Sequence, residues 1–161
     1  MTDKEREQLR SNVEQNITSL PKRYPQVEFY YFLTPYSMVW WNDLNNDGMI
    51  YRYVEAEQYA IELMLKCENI KLFSFNTRID ITSDLNNYKD ETHFAGWINT
   101  LILYWMHEGK GRITEDNYIR YIDDELQSHI DFDYASLNYQ EDAADDKAYG
   151  QKVLDRERSN E

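Results

Sequence analysis

The chain has 161 residues, 42% hydrophobic and 15% aromatic, with a formal net charge of −13. That length suits one domain or part of a larger one, and the apolar and aromatic content excludes a chain disordered throughout. The negative charge disfavours nucleic acid and anionic membrane as partners, since both need cationic contacts, and the single cysteine, Cys67, excludes an internal disulfide and offers no zinc cluster.

Met1 to Glu7 is charged and has no apolar run, so it reads as neither a signal peptide nor an anchor. No segment approaches bilayer-spanning length. Residues 3–19 read as a helix: Leu9, Val13, Ile17 and Leu20 recur at near-helical spacing, and Pro21 is expected to end it. Residues 25–33 are short, aromatic and apolar at nearly every position, which predicts a strand covered on both faces. Thr34-Pro35-Tyr36-Ser37 breaks that strand, and Asn42 to Gly48 reads as a polar turn region. Residues 50–67 predict an amphipathic helix with Val54, Ile61, Met64 and Leu65 on one side. A second strand follows over 70–75.

Strand, helix, strand, with a helix long enough for a crossover, predicts a parallel pair. Asn76 to His93 reads as an irregular loop at the carboxyl end of the second strand, where open parallel sheets place their chemistry. Residues 94–108 form a strongly apolar helix closed by Gly109. Thr114 is expected to cap another helix, with Glu115 and Asp116 in its first turn. From Asp123 onward twelve acids stand against four bases. The expected organisation is one domain over 1–138 and an acidic, partly disordered or helical tail over 139–161. The fold class is α/β, with about five helices on a two-stranded parallel sheet that is seldom stable alone.

Within the 76–93 loop, Asp90 and His93 are the candidate site. An aspartate three residues before a histidine can fix the imidazole tautomer while the other ring nitrogen takes a proton from a serine. The alternative is that Asp90 caps the helix starting near Phe94 and His93 is a surface residue. No serine stands out as a nucleophile. Ser37 lacks the glycines of a nucleophile elbow and reads as the cap of the Met38-Val39-Trp40-Trp41 segment. Ser74 sits within a strand and Ser83 in the loop.

Asp43-Leu44-Asn45-Asn46-Asp47-Gly48-Met49-Ile50 matches the first half of a calcium-binding EF loop. The twelfth position is Val54, however, with Glu55 one residue late, and a plain turn is the better reading. Asn16-Ile17-Thr18 is a glycosylation sequon by letters alone, within a predicted helix. His107 and His129 lie on predicted helices without partners at metal spacing and read as surface residues. Trp40, Trp41, Trp97 and Trp105 read as core before they read as a groove lining. No metal or other cofactor is implied.

Three stretches resemble the SGNH/GDSL hydrolases, and among them bacterial envelope proteins associated with surface-polysaccharide loci. They are Val27 to Ser37, Tyr53 to Tyr59, and Asn86 to Phe94 with Trp97, Ile98 and Asn99; the likeness covers roughly residues 8–137. In that family an Asp-x-x-His block supplies the catalytic Asp and His, which Asp90 and His93 match. The nucleophilic serine and the oxyanion-hole Gly and Asn belong to earlier blocks, and the sequence is expected to begin after them. The resemblance thus implies the last two strands of a partial doubly wound parallel sheet. It implies the C-terminal segment of an esterase or O-acyltransferase acting on acyl esters of cell-surface glycans, inactive alone for lack of the serine. An acylated glycan is the implied substrate, and the missing N-terminal half or a second copy the implied partner. The alternative is a non-catalytic acidic interaction module that completes its sheet with a partner chain or as a homodimer. The resemblance implies an extracytoplasmic, membrane-anchored parent. The chain alone, without an export signal, is expected in the cytoplasm.

Overall fold

The computed structural model describes residues 1–137 and 146–159, which contain eight α-helices and three strands. Thr2 starts helix α1 (Asp3–Asn16) with a capping box: its backbone N–H donates to Glu5 Oε2 at 2.8 Å and its hydroxyl accepts from Glu5 N at 3.4 Å. The helix stops at Asn16. A second short helix, α2 (Ser19–Arg23), contains Pro21 in its first turn. The expectation that Pro21 ends the first helix is corrected, because a first-turn proline lacks only an N–H that has no intrahelical partner anyway.

Strand β1 (Phe29–Leu33) leads through Ser37 into α3 (Met38–Asn46). Helix α4 (Ile50–Leu65) then carries the chain to strand β2 (Ile70–Ser74), parallel to β1 with Phe29 opposite Ile70 and Leu33 opposite Ser74. The loop beyond β2 holds a short helix, α5 (Ile79–Thr82), and a 3-10 turn at Leu85–Asn87, before α6 (Gly96–His107). Gly109 and Gly111, at φ of 71° and 73°, turn the chain into strand β3 (Arg112–Ile113). Helices α7 (Tyr118–Ile130) and α8 (Asp146–Ser159) complete the described chain.

The α/β class therefore holds, but among the described residues the helix count is eight and the sheet is three-stranded and mixed. Its order is β1-β2-β3, with β3 antiparallel to β2 through Leu72 opposite Ile113 and Phe73 opposite Arg112. β2 is the central strand, and its side chains alternate between two cores. Ile70 and Leu72 join Val13, Trp41, Val54, Ile61 and Ile122 from α1, α3, α4 and α7. Phe73 and Phe75 join Ile81, Ile98, Leu101, Ile102, Trp105 and Leu154 from α5, α6 and α8. Helices thus cover both faces of the sheet.

β1 is an edge strand, and the expectation that both its faces are covered is corrected: Tyr30 is 54% exposed. Phe29 N donates to Asn69 O at 2.8 Å, so the backbone groups of the alternate residues Tyr30 and Phe32 point away from β2. Among the described residues they have no backbone partner. The outer edge of β2 is used: Ile70 N donates to Cys67 O, Leu72 pairs with β3, and Ser74 N donates to Gly111 O at 2.9 Å.

Three further expectations change. Asn42 to Asn46 lie in α3 rather than in a turn, and Gly48, at φ 67°, makes the turn into α4. Thr114 does not cap α7; Asn117 precedes it, and its side chain ties Thr114 N and Arg112 O together, each at 2.9 Å. Of the predicted tail, residues 139–145, 160 and 161 lie outside the described residues, as does Asn138 before it. Residues 146–159 form α8, which docks on α6 with Val153 and Leu154 in the second core and Glu157 accepting from Trp105 Nε1 at 3.0 Å. No helix among the described residues is long and apolar enough to cross a membrane.

Candidate functional site

The loop carrying Asp90 and His93 is fastened at its base. Tyr88 forms an antiparallel bridge with Phe94, Lys89 N donates to His93 O at 2.8 Å, and Ala95 N donates to Asn87 O at 2.7 Å. Asn87, itself buried, donates from Nδ2 to Ile81 O at 2.9 Å. The tip is tied to the carboxyl end of β1: Tyr88 Oη donates to Pro35 O at 2.8 Å and Ser37 N to Glu91 O at 3.0 Å. A seven-residue excursion is thereby held against the β1–α3 connection.

At the tip, Asp90 does not cap α6, whose N-cap position is Ala95. Its Oδ1 accepts from Thr92 N at 3.0 Å and His93 N at 2.9 Å, an Asx-type turn. The imidazole folds back so that Nδ1 lies 2.8 Å from both carboxylate oxygens. The Thr92 and His93 backbone donors, then the imidazole, hold the Asp90 carboxyl well below the ordinary carboxylate range. With Nδ1–H donated to Asp90, Nε2 is left as the basic nitrogen, and among the described residues it makes no hydrogen bond. The His93 side chain is 76% exposed.

Two depressions flank the pair. A groove of about 430 Å³ is lined by Thr34, Tyr36, Thr92, His93, Phe94 and Asn99. A more apolar cleft of about 200 Å³, with Val39, Leu85 and Tyr88 in its walls, lies on the Asp90 side. Asp90 and His93 thus come together, and among the described residues no serine hydroxyl bonds to either, although Ser37 lines the cleft on the Asp90 side. Ser37 is buried and its hydroxyl accepts from Trp40 N at 3.5 Å, as the cap of α3. Ser74 Oγ is 2.7 Å from Tyr121 Oη, and Ser83 Oγ donates to Ile79 O at 2.6 Å.

Sequence reasoning missed a second polar cluster, buried between α4, α7 and the end of β2. Tyr121 Oη donates to Glu125 Oε1 at 2.6 Å and lies 3.2 Å from Glu57 Oε1, while Asn76 Nδ2 donates to Glu125 Oε1 at 2.6 Å. Glu57, Glu125, Ser74 and Asn76 are all buried. Burial, and then the neighbouring Glu125, push the Glu57 carboxyl well up; burial also raises Glu125, against the pull of its hydrogen bonds to Tyr121 and Asn76. A signal was present. Glu57 falls on the Val54–Ile61 stripe of α4, and Glu125 falls between Ile122 and His129 on α7, each where helical periodicity calls for an apolar residue.

His129, expected at the surface, is fully buried; its ring stacks on Trp41 at 3.8 Å and its Nδ1 donates to Glu125 O at 2.6 Å. Burial lowers its pKa to about 4 despite that hydrogen bond. His107 is exposed at the end of α6. Trp41 and Trp105 are core residues, and Trp40 and Trp97 pack at the margins of the two cores.

The EF-like stretch cannot wrap an ion, since Asp43 and Asn45 occupy the last turn of α3. Among the described residues no group of three or more His, Cys, Asp or Glu side chains is arranged to hold a metal. No protein family, curated protein or solved structure matches this chain.

Proposed function

We propose that His93 is the general base and Asp90 its orienting carboxylate in an SGNH-type acyl-transfer site acting on acyl esters of cell-surface glycans. The observation that carries this reading is the 2.8 Å contact from His93 Nδ1 to the Asp90 carboxylate, with Nε2 unengaged beside an open groove. In the reaction Nε2 takes the proton of a serine hydroxyl as its oxygen attacks the ester carbonyl. Asp90 stabilises the imidazolium that forms. The same proton then passes to the departing sugar oxygen as the tetrahedral intermediate collapses. The nucleophilic serine comes from outside the described residues, on a strand added beside β1. Two features support that direction of growth: β1 has the unpaired edge, whereas β2 is closed by β3, and in the doubly wound order 2-1-3-4-5 a last pair of strands meets the rest of the sheet on one side only.

The chain alone is then expected to turn over p-nitrophenyl acetate no faster than its exposed imidazoles do. Purified from the cells that make it, it is expected to travel with a fluorophosphonate-reactive serine whose labelling is lost in His93→Ala. Turnover by the isolated chain that disappears in both His93→Ala and Ser37→Ala would move the nucleophile to Ser37 and end this reading.

A competing reading, a non-catalytic module that completes its sheet through a partner, rests on the same free edge. Leu20, Tyr24, Val27 and Tyr30, four large exposed apolar side chains, fall in the stretch leading into and along β1. A tight dimer by light scattering, with no serine-reactive species present, would favour it.

A further inference from the structure

The Asp90–His93 pair is built locally. The hydrogen bonds that set the ring against the carboxylate all lie within residues 90–93. Such a turn fixes the imidazole relative to Asp90, but it fixes neither group relative to the sheet. Among the described residues, two hydrogen bonds reach from this tip to another element, one on either side of Asp90. Tyr88 Oη donates to Pro35 O at 2.8 Å before it, and Glu91 O accepts from Ser37 N at 3.0 Å after it. Both partners belong to the connection between β1 and α3.

The two ties differ in what they ask of the sequence. The Ser37–Glu91 bond is backbone to backbone, so most residue types could make it. The Tyr88 bond depends on one phenol. Pro35 is buried and its carbonyl takes no backbone donor among the described residues, so the Tyr88 hydroxyl is the group that satisfies it. Burial raises the Tyr88 pKa, and the phenol stays a donor across the range in which an imidazole works as a base. The ring stands in the wall of the apolar cleft with Val39 and Leu85. The Tyr88 backbone is held by its bridge to Phe94, which gives the side chain a fixed base from which to reach 53 positions back along the chain.

From this arrangement we infer that Tyr88 is a positioning residue: its hydroxyl places His93 against the carboxyl end of β1 without touching the imidazole or any reacting group. The role rests on the acyl-transfer reading, in which the nucleophile arrives on a strand beside β1 and must meet Nε2 within hydrogen-bond reach. A base displaced by about 1 Å loses about a hundredfold in rate. With the Asx turn alone, Asp90 and His93 could swing together, keeping their mutual contact while losing that alignment. Tyr88 removes that freedom.

The test compares Tyr88→Phe with the parent chain by NMR. Phenylalanine keeps a ring in the cleft wall and removes only the donor. Amide dipolar couplings of Lys89 to His93 are expected to change relative to those of β1, and exchange of the Ser37 amide to quicken about tenfold, the worth of one released hydrogen bond. The neutral His93 ring is expected to stay protonated on Nδ1. Tyr134→Phe is the control: it removes a phenol-to-carbonyl bond of the same kind, 2.6 Å long to His129 O at the end of α7. It is expected to lower stability comparably and to leave the couplings of Lys89 to His93 as they are. In the complex purified with its reactive serine, Tyr88→Phe is expected to slow fluorophosphonate labelling about tenfold or more. Unchanged couplings and Ser37 exchange in Tyr88→Phe, the same changes in Tyr134→Phe, or labelling at the parent rate overturn the positioning role. Loss of the Nδ1–H form overturns it too, because Tyr88 would then build the turn rather than place it. Changed couplings with no labelled serine in the complex would support the placement by Tyr88 and end the acyl-transfer reading.

Discussion

Glu57 of α4 and Glu125 of α7 converge on one phenol, with Tyr121 Oη 3.2 Å from the first and 2.6 Å from the second. Two buried carboxyls this close hold a proton between them, since both cannot be charged in so dry a place. Their folded pKa values stand above the ordinary 4.5. The stability they contribute is therefore fully present below pH 4.5 and is lost as pH rises through the raised values. Glu57→Gln keeps the shape and removes one titration. Urea melts of this variant at several pH values are expected to show a shallower alkaline decline and higher stability than the parent at pH 8. An unchanged slope would mean that the pair does not govern the alkaline limb. Tyr121→Phe, which strips Glu125 and Ser74 of a shared partner, is expected to cost about 1–3 kcal/mol.

His129 sets the opposite limb. Its pKa falls from 6.5 to about 4 on folding, so its contribution is present above pH 6.5 and drains away as pH drops through about 4. His129→Phe keeps an aromatic ring on Trp41 and cannot titrate. It is expected to lose about 1 kcal/mol at neutral pH from the missing hydrogen bond and to flatten the decline between pH 6.5 and 4. The check is again denaturant melts, read as the difference between the two proteins across that window.

Much of the fold was legible because local pattern and tertiary packing agree in α4, β2 and α6, where apolar spacing is regular and long. β3 escaped because a two-residue strand, Arg112–Ile113, has no period to read; only Gly109 and Gly111 hinted at a turn there. Asn42 to Asn46 read as a turn from their letters. The packing of Trp41 and Leu44 into the first core keeps them helical instead, a tertiary override of weak local preference. The Asp90–His93 contact was legible because it is built from an Asx turn four residues long. The Glu57–Glu125 pair was not, because it joins residues 68 positions apart, and a charged letter on an apolar stripe is easily passed over. His129 was misplaced for the same reason.

Gly150 gives a packing test for the C-terminal helix. A Cβ added there would overlap the ring of Trp97 on α6. Gly150→Val is expected to cost about 1–3 kcal/mol through overpacking and to loosen α8. Hydrogen exchange should then rise along Ile98 to Met106, while the exchange of α4 stays as it was. Unchanged protection of α6 would show that α8 adds nothing to its stability.

The Asp90 contact has a spectroscopic signature that needs no substrate. Long-range nitrogen-15 spectra of the imidazole are expected to show the neutral His93 ring protonated on Nδ1. Asp90→Ala should shift it toward the Nε2–H form, while His107 stays unchanged. An Nε2–H tautomer in the parent chain would mean that Asp90 does not orient the ring.

The two-residue β3 has a consequence for how large an assembly this chain can enter. Strand-by-strand polymerisation requires each subunit to offer one edge and accept on another. β3 is the other edge, but it is two residues long and its Arg112 carbonyl is taken by Asn117 Nδ2, so among the described residues the longer open edge lies at Tyr30 and Phe32. Whatever docks there, whether a strand of another polypeptide or a second copy, fills the longer of the two edges among the described residues. Growth by this route stops at a stoichiometry of one to one, so the chain is suited to a finite complex rather than a fibre.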